Sequence, residues 1–173
     1  DIFIAEYDGR GNCQWVQAAG GSSSDEGQGI AVDDSGNVYV TGYFQGTTTA
    51  FGNGRTASSS GGTDIFVAGY DGSGACRWVQ ATGGTFDDAG QAIVVDGSGT
   101  VCITGYFNDV ATLCNGLSAT SSGDNDIFIA EYGGNGTCRW VQTAGGSDRD
   151  LGAGLAMDDR GNITVGGYVS GTY

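Results

Sequence analysis

Histidine and lysine are both absent from the 173 residues, and six arginines face twenty carboxylates. Without an imidazole or a side-chain amine the chain cannot build a Ser-His-Asp triad, a Schiff base, a Walker-type phosphate loop or a histidine-containing zinc site. The formal net charge of −14 repels a phosphate backbone, so nucleic acid is not an expected partner. Long apolar runs are missing too: none approaches the ~20 residues of a membrane helix, and no basic, then apolar leader opens the chain. Membrane insertion is therefore not expected. A chain that starts directly in the strand-like DIFIAEY reads either as processed or as part of something longer. Proline is absent, and no window carries apolar side chains at helical spacing, so helix is expected to stay below ~5%.

What is present is glycine, 35 residues of it, together with enough apolar (39%) and aromatic (10%) residues to build a core. These residues repeat. DIFIAEYDGRGNCQWVQAAGG from Asp1 returns as DIFVAGYDGSGACRWVQATGG from Asp64 and DIFIAEYGGNGTCRWVQTAGG from Asp126. A second block follows each copy: DEGQGIAVDDSGNVYVTGYF from Asp25, DDAGQAIVVDGSGTVCITGYF from Asp87 and DLGAGLAMDDRGNITVGGY from Asp150. The period is about 62 residues, and residues 1–173 read as one repeat region of a single domain.

Each block reads as a hairpin, two runs rich in Val, Ile, Tyr, Phe and Thr around an Asp/Gly/Asn/Ser turn. In the first full unit this predicts an inner strand over 27–33, a second over 37–44, a third over 64–70 and an outer over 76–81. Both faces are apolar, with Ile2 and Ile4 on one side of a strand and Phe3, Ala5 and Tyr7 on the other, so each sheet must be covered twice. Four-stranded antiparallel sheets stacked face to face around an axis meet that demand, which is an all-β propeller of blades. Small residues such as Gly29, Ala31, Ala92, Gly154 and Ala156 suit the crowded inner strand. The Gly/Ser/Thr-rich segment 45–62, with Phe51 as its one apolar spot, is expected to be a long loop or an extra edge hairpin.

The run GQGIAVDDSGNVYVTG, with DIFIA and Gly-Asn-x-x-Trp beside it, resembles the bacterial SBBP-type β-propeller repeat. The resemblance recurs three times along the chain and implies a propeller. It also implies a secreted or cell-surface protein whose repeats serve as scaffold, adhesion or binding modules, with no shared catalytic residue. Cysteines at 13, 76 and 138 depart from the pattern.

Propellers typically close with 4–8 blades, and this chain supplies three blade-equivalents: half-blade 1–20, blade 25–83, blade 87–145 and half-blade 150–173. Each half lacks the strands that the other holds, and an exposed apolar edge calls for a partner. The expected assembly edge is Asp1, Phe3, Ala5 and Tyr7 on one half and Asn162, Thr164, Gly166 and Tyr168 on the other. It would pair with another copy, in a ring or a filament, or with further blades of a longer chain.

Carboxylate neighbours occur at Asp25/Glu26, Asp33/Asp34, Asp87/Asp88 and Asp158/Asp159. Adjacent side chains in an extended chain point to opposite faces and these recur in register, so turn formation and hairpin capping explain them better than glycoside hydrolysis or calcium binding. No cofactor and no metal site is expected. Cys13, Cys76 and Cys138 precede Trp15, Trp78 and Trp140 by two residues and read as buried thiols beside largely buried tryptophans on the outer strands. Cys102 and Cys114 break the repeat, replacing Tyr39 and Phe51, and flank an expected turn near Asn108–Asp109, so they form a candidate local disulfide. Asn135 and Asn162 head glycosylation sequons. The reading is a non-catalytic extracellular or cell-surface scaffold for assembly or adhesion. A carbohydrate- or protein-binding propeller is the alternative, and a hydrolase using carboxylates alone a remote third.

Overall fold

The structure, a computed structural model, describes residues 1–171, and it is β-structure almost throughout. Among the described residues the only helical element is a 3-10 turn at Cys114–Gly116. Strands β1 (Ile2–Tyr7) and β2 (Cys13–Ala19) form an antiparallel hairpin. After it come β3 (Asp25–Val32), β4 (Val38–Phe44), a short hairpin of β5 (Thr49–Gly52) and β6 (Arg55–Ala57), then β7 (Asp64–Tyr70) and β8 (Cys76–Gly84). Antiparallel pairing runs β3 to β4 to β7 to β8. The second unit repeats it with β9 (Ala89–Val95), β10 (Val101–Thr112), β11 (Ser118–Tyr132) and β12 (Cys138–Ala144). A last hairpin joins β13 (Leu151–Met157) to β14 (Ile163–Tyr168). The expected strand at 64–70 coincides with β7, and the other three of that unit differ from β3, β4 and β8 by one to three residues at their ends.

One piece of turn chemistry closes five of the six repeated hairpins. In each, an aspartate Oδ1 accepts the backbone N–H groups two and four residues on, as Asp33 does from Ser35 and Asn37, both at 2.9 Å. Asp8, Asp71, Asp96 and Asp158 do the same. The glycine three residues after the aspartate takes a left-handed backbone, φ +78° at Gly36, which a side chain would resist. The β11–β12 turn has Gly133 in place of the aspartate, and Asn135 Oδ1 accepts the Thr137 N–H at 3.1 Å instead.

The core lies between successive sheets. Ile2 and Ile4 of β1 meet Val38 and Val40 of β4 in one buried cluster that also holds Phe44, Phe51 and Phe66. Ile65 and Val67, on the opposite face of β7, join Ile103, Phe107 and Phe128 of the next unit in a second. The first strands β3, β9 and β13 lie side by side, and a Cβ added to Gly29 would stand 3.1 Å from Ile93 Cγ2. Small residues on these strands thus answer to a real close approach.

Segment 45–62 contains the β5/β6 hairpin, and Phe51 points inward, 5.8 Å from the Phe44 ring in edge-to-face contact. In the second unit the corresponding stretch forms no separate hairpin. Instead β10 and β11 run on through it, pairing Val110 with Thr120 and Thr112 with Ser118 after a bulge at Asp109, whose φ is +54°. The turn expected near Asn108–Asp109 is that bulge, and the chain reverses only at the 3-10 turn.

Candidate functional site: two open strand edges

Among the described residues β1 is hydrogen-bonded only to β2, and β14 only to β13. These strands correspond by sequence to elements that are sandwiched in the middle units, and their exposure shows what is missing. Phe3, Phe66 and Phe128 hold one repeat position, yet Phe3 is 79% exposed while each of the others is 1% exposed. Tyr7 is 61% exposed, against 1% for Tyr70 and 2% for Tyr132. Of the expected edge residues, Asp1, Phe3, Tyr7, Asn162, Thr164, Gly166 and Tyr168 are exposed and Ala5 is half-buried. The chain does not bring its own two edges together. The internal pairings show what such an edge accepts: Val38 opposite Tyr70 and Gly42 opposite Phe66 in the first unit, Val101 opposite Tyr132 and Gly105 opposite Phe128 in the second.

The paired carboxylates split into separate jobs. Asp33 and Asp158 shape turns, as described. Asp25, Asp88 and Asp150 are buried at the threshold of the first strands, where each ties two chain segments together. Asp88 accepts the Gly84 N–H at 2.7 Å and the Asn108 N–H at 2.9 Å. Asp150 accepts from Gly146 and Ser170, and Asp25 from Gly21 and Gln45. Beside Asp88 stands Asp64, the first residue of β7: a Cβ on Gly83 would lie 2.7 Å from Asp88 Oδ2 and 2.8 Å from Asp64 Cγ. Burial pushes the Asp64 carboxyl up to about 6. It pushes Asp88 up to about 7, with the charges of Asp64 and Asp87 adding to the effect. Strand-end stapling is a role that sequence spacing alone missed; the recurrence of Asp25, Asp88 and Asp150 after a Gly-Gly pair was its signal. Among the described residues no group of three or more His, Cys, Asp or Glu is placed to hold a metal ion.

The disulfide expected between Cys102 and Cys114 is not formed. Cys102 lies at the start of the extended β10 and Cys114 in the 3-10 turn just past its end, and at ~3.3 Å per residue the strand keeps them tens of ångströms apart. Cys114 bonds instead to Cys138, with a Cα separation of 5.5 Å. Cys138 is thus not a free thiol, and Cys13, expected to be buried, is exposed. The first unit carries the same contact without the bond: Asn53 Nδ2 donates to Cys76 O as Asn115 Nδ2 donates to Cys138 O, so Cys114 stands where Gly52 stands, whose added Cβ would lie 4.0 Å from Cys76 Cβ, and the buried Phe51 is matched by Leu113 rather than by Cys114. Burial pushes the Cys76 thiol up to about 11 and the Cys102 thiol up to about 12. Thiol titration of the folded chain should therefore find Cys13 fast and Cys76 and Cys102 slow, with two further thiols appearing after reduction and unfolding. Reducing Cys114–Cys138, which closes a loop of 24 residues, should lower stability by about 3 kcal/mol in a denaturant titration. Equal reactivity of all five thiols in the native, unreduced chain would contradict the pairing.

Trp15, Trp78 and Trp140 are each partly buried, short of full burial. Trp78 reaches across to the next unit, where its Nε1 donates to Gly134 O at 2.8 Å, while Trp15 Nε1 donates to Glu6 of its own hairpin. A groove of about 440 Å³ lies there, lined by Asn37, Tyr39, Arg77, Trp78 and Asn135 among others. Asn135 and Asn162 are both exposed, and Asn162 Nδ2 donates to Asp158 Oδ2 at 2.7 Å.

Two curated proteins resemble this chain along most of its length. One is the regulatory protein FlaEY of Caulobacter vibrioides, 30% identical over 188 residues, covering 98% of this chain and 19% of that protein. The other is an uncharacterized WD repeat-containing protein of Acanthamoeba polyphaga mimivirus, 26% identical over 179 residues, covering 84% of this chain and 13% of that protein. The chain therefore spans less than a fifth of the length of either relative. Residues 14–43, from within β2 to one residue short of the end of β4, match the SBBP β-propeller repeat.

Proposed function

We propose that this chain is a non-catalytic propeller scaffold whose terminal halves are completed by strands of their own kind. In this reading 25–83 and 87–145 are four-stranded blades, and 1–20 and 150–173 are half-blades, with residues 172–173 outside the described region. The observation that carries it is the contrast at one repeat position, Phe3 at 79% exposure against Phe66 and Phe128 at 1%. A second contrast agrees with it. Ile30 of β3 is 58% exposed, while its counterpart Ile93 is 7% exposed under the preceding unit. Carrying the internal register over to the ends sets Ile163 opposite Tyr7, Val165 opposite Ala5 and Gly167 opposite Phe3 of another copy. That pairing satisfies two rows of edge N–H and C=O groups and covers Phe3 at once. The much greater length of both relatives is consistent with further repeats of the same chain type filling this role.

Placement outside the cell or on its surface belongs to the same proposal, as do scaffold and adhesion roles. Removing residues 1–19 should abolish association at micromolar concentration while the far-UV spectrum stays that of β-structure. Undiminished association of the truncated chain would overturn the reading.

The groove beside Trp78 favours a second reading, in which the chain binds a glycan or a protein through it. It joins an aromatic face, a guanidinium and two amides in one cleft. Binding on a glycan array that disappears with Arg77→Ala would support it, and no binding above background would count against it.

A further inference from the structure

Each junction between successive units is closed by a tryptophan laid on a glycine. Trp15 of β2 covers the turn of the next outer hairpin, where a Cβ added to Gly74 would stand 2.6 Å from its Cε3. Trp78 of β8 covers the corresponding turn one unit on, where a Cβ added to Gly136 would stand 2.6 Å from its Cδ2. Both glycines are left-handed, φ +80° and +81°, so backbone conformation and the approach of the indole impose the same residue there.

The series has one further member at each end of the chain. Trp140 of β12 holds the same position as Trp15 and Trp78, with no following outer hairpin among the described residues to receive it. Gly11 holds the same turn position as Gly74 and Gly136, with φ +84°, and among the described residues nothing lies within 4 Å of the place its Cβ would occupy. The knob of one end is thus left without a notch, and the notch of the other without a knob.

Resting on the strand-completion reading above, we infer that Trp140 docks on the Gly11 turn of a second copy, so that the contact between copies repeats the internal Trp15–Gly74 and Trp78–Gly136 junctions. The occupant follows from three features of the chain itself. The unoccupied turn keeps the left-handed glycine that the two occupied turns need. The edge register brings β1 and β2 of the second copy beside β14, one unit beyond β12, which is the offset at which Trp15 meets Gly74. Phe3, Tyr7 and Ile30 are exposed on the surfaces that the same arrangement covers. The contact is heterologous, tail of one copy to head of the next, and it closes into a ring or propagates as a filament.

The test compares Gly11→Ala with Gly54→Ala. Gly54 is also left-handed, φ +71°, with nothing within 4 Å, but it sits in the β5/β6 turn away from either end. The two variants therefore carry the same backbone strain. Sedimentation of the full chain over a micromolar concentration series should show Gly11→Ala weakening association at least tenfold relative to Gly54→Ala, because the indole can no longer settle on the turn. Hydrogen exchange at residues 9–12 of the wild-type chain should slow on association. If the wild-type chain associates but Gly11→Ala matches Gly54→Ala and the 9–12 amides stay unprotected, the tryptophan contact is wrong and strand completion stands. A wild-type chain that does not associate at all removes both.

Discussion

Phe66→Ala and Phe128→Ala should each cost about 3–5 kcal/mol of unfolding free energy, whereas Phe3→Ala should change the stability of the dispersed chain by less than about 0.5 kcal/mol. The three residues share a repeat position, so local sequence does not separate them. Environment does: Phe66 lies among Phe44 and Phe51, with ring centroids at 6.5 and 5.0 Å, and Phe128 is buried against Phe107 and Leu113, while Phe3 faces solvent. Truncating either buried ring leaves a cavity inside the layer between two sheets. Truncating Phe3 leaves no cavity until a second copy covers it, so its effect should emerge as weaker association in a concentration series. Denaturant titration of the three variants at low and high protein concentration checks both halves. Equal costs at all three positions under dilute conditions would mean that Phe3 is already covered.

Stability should fall as the pH rises from about 4 to 7, the reverse of a protein held by ionised carboxylates. Asp64 and Asp88 are raised to about 6 and about 7 in the folded chain, against about 3.9 for an unfolded aspartate. Between those values the folded state binds more protons than the unfolded state, so unfolding free energy decreases with pH through that window and levels off above it. With about 1.4 kcal/mol per raised unit, the loss is on the order of a few kcal/mol. The turn aspartates act below it: Asp71 is lowered to about 2, first by the Ser73 hydroxyl, and Asp8 and Asp158 are lowered by their asparagine partners. Their contribution is lost only as the pH drops through the folded values, which places the stability maximum near pH 4–5. Asp64→Asn keeps an acceptor for the Ser60 N–H, which Asp64 Oδ2 accepts at 2.9 Å, and removes one of the two facing charges. That variant should be more stable than wild type at pH 7 and show a flatter profile. A wild-type profile rising from pH 4 to 7 would contradict the buried pair.

Period, hairpin pairs and strand order were legible because both periodicities are local: apolar alternation marks the strands, and an Asp-x-x-Gly run marks five of the six turns. Face-to-face cover was legible for the same reason, since Ile2 and Phe3 alternate on one strand and both are apolar. The Cys114–Cys138 bond was not, because it depends on β10 running unbroken past Asp109 and carrying Cys114 to the neighbouring outer strand. A bulge and a turn look alike in the run Asn108-Asp109. Nor was the division of labour among aspartates visible. Asp33 bonds to its own turn and can be read from spacing, whereas Asp88 is held by Gly84 and Asn108 from different strands. The partial exposure of Trp15 and Trp78 follows from their seat at the rim, where one edge rests on the next turn and the other meets solvent.

Strand completion is tested most directly by the native mass of the 173-residue chain, measured by light scattering across a micromolar concentration range together with hydrogen exchange at β1 and β14. The account predicts masses at multiples of 17.5 kDa, with amides of Phe3, Ala5, Val165 and Gly167, which point away from β2 and β13, protected in the associated form. A monodisperse 17.5 kDa monomer throughout that range, with both terminal hairpins ordered and their outer edges exchanging freely, would contradict it.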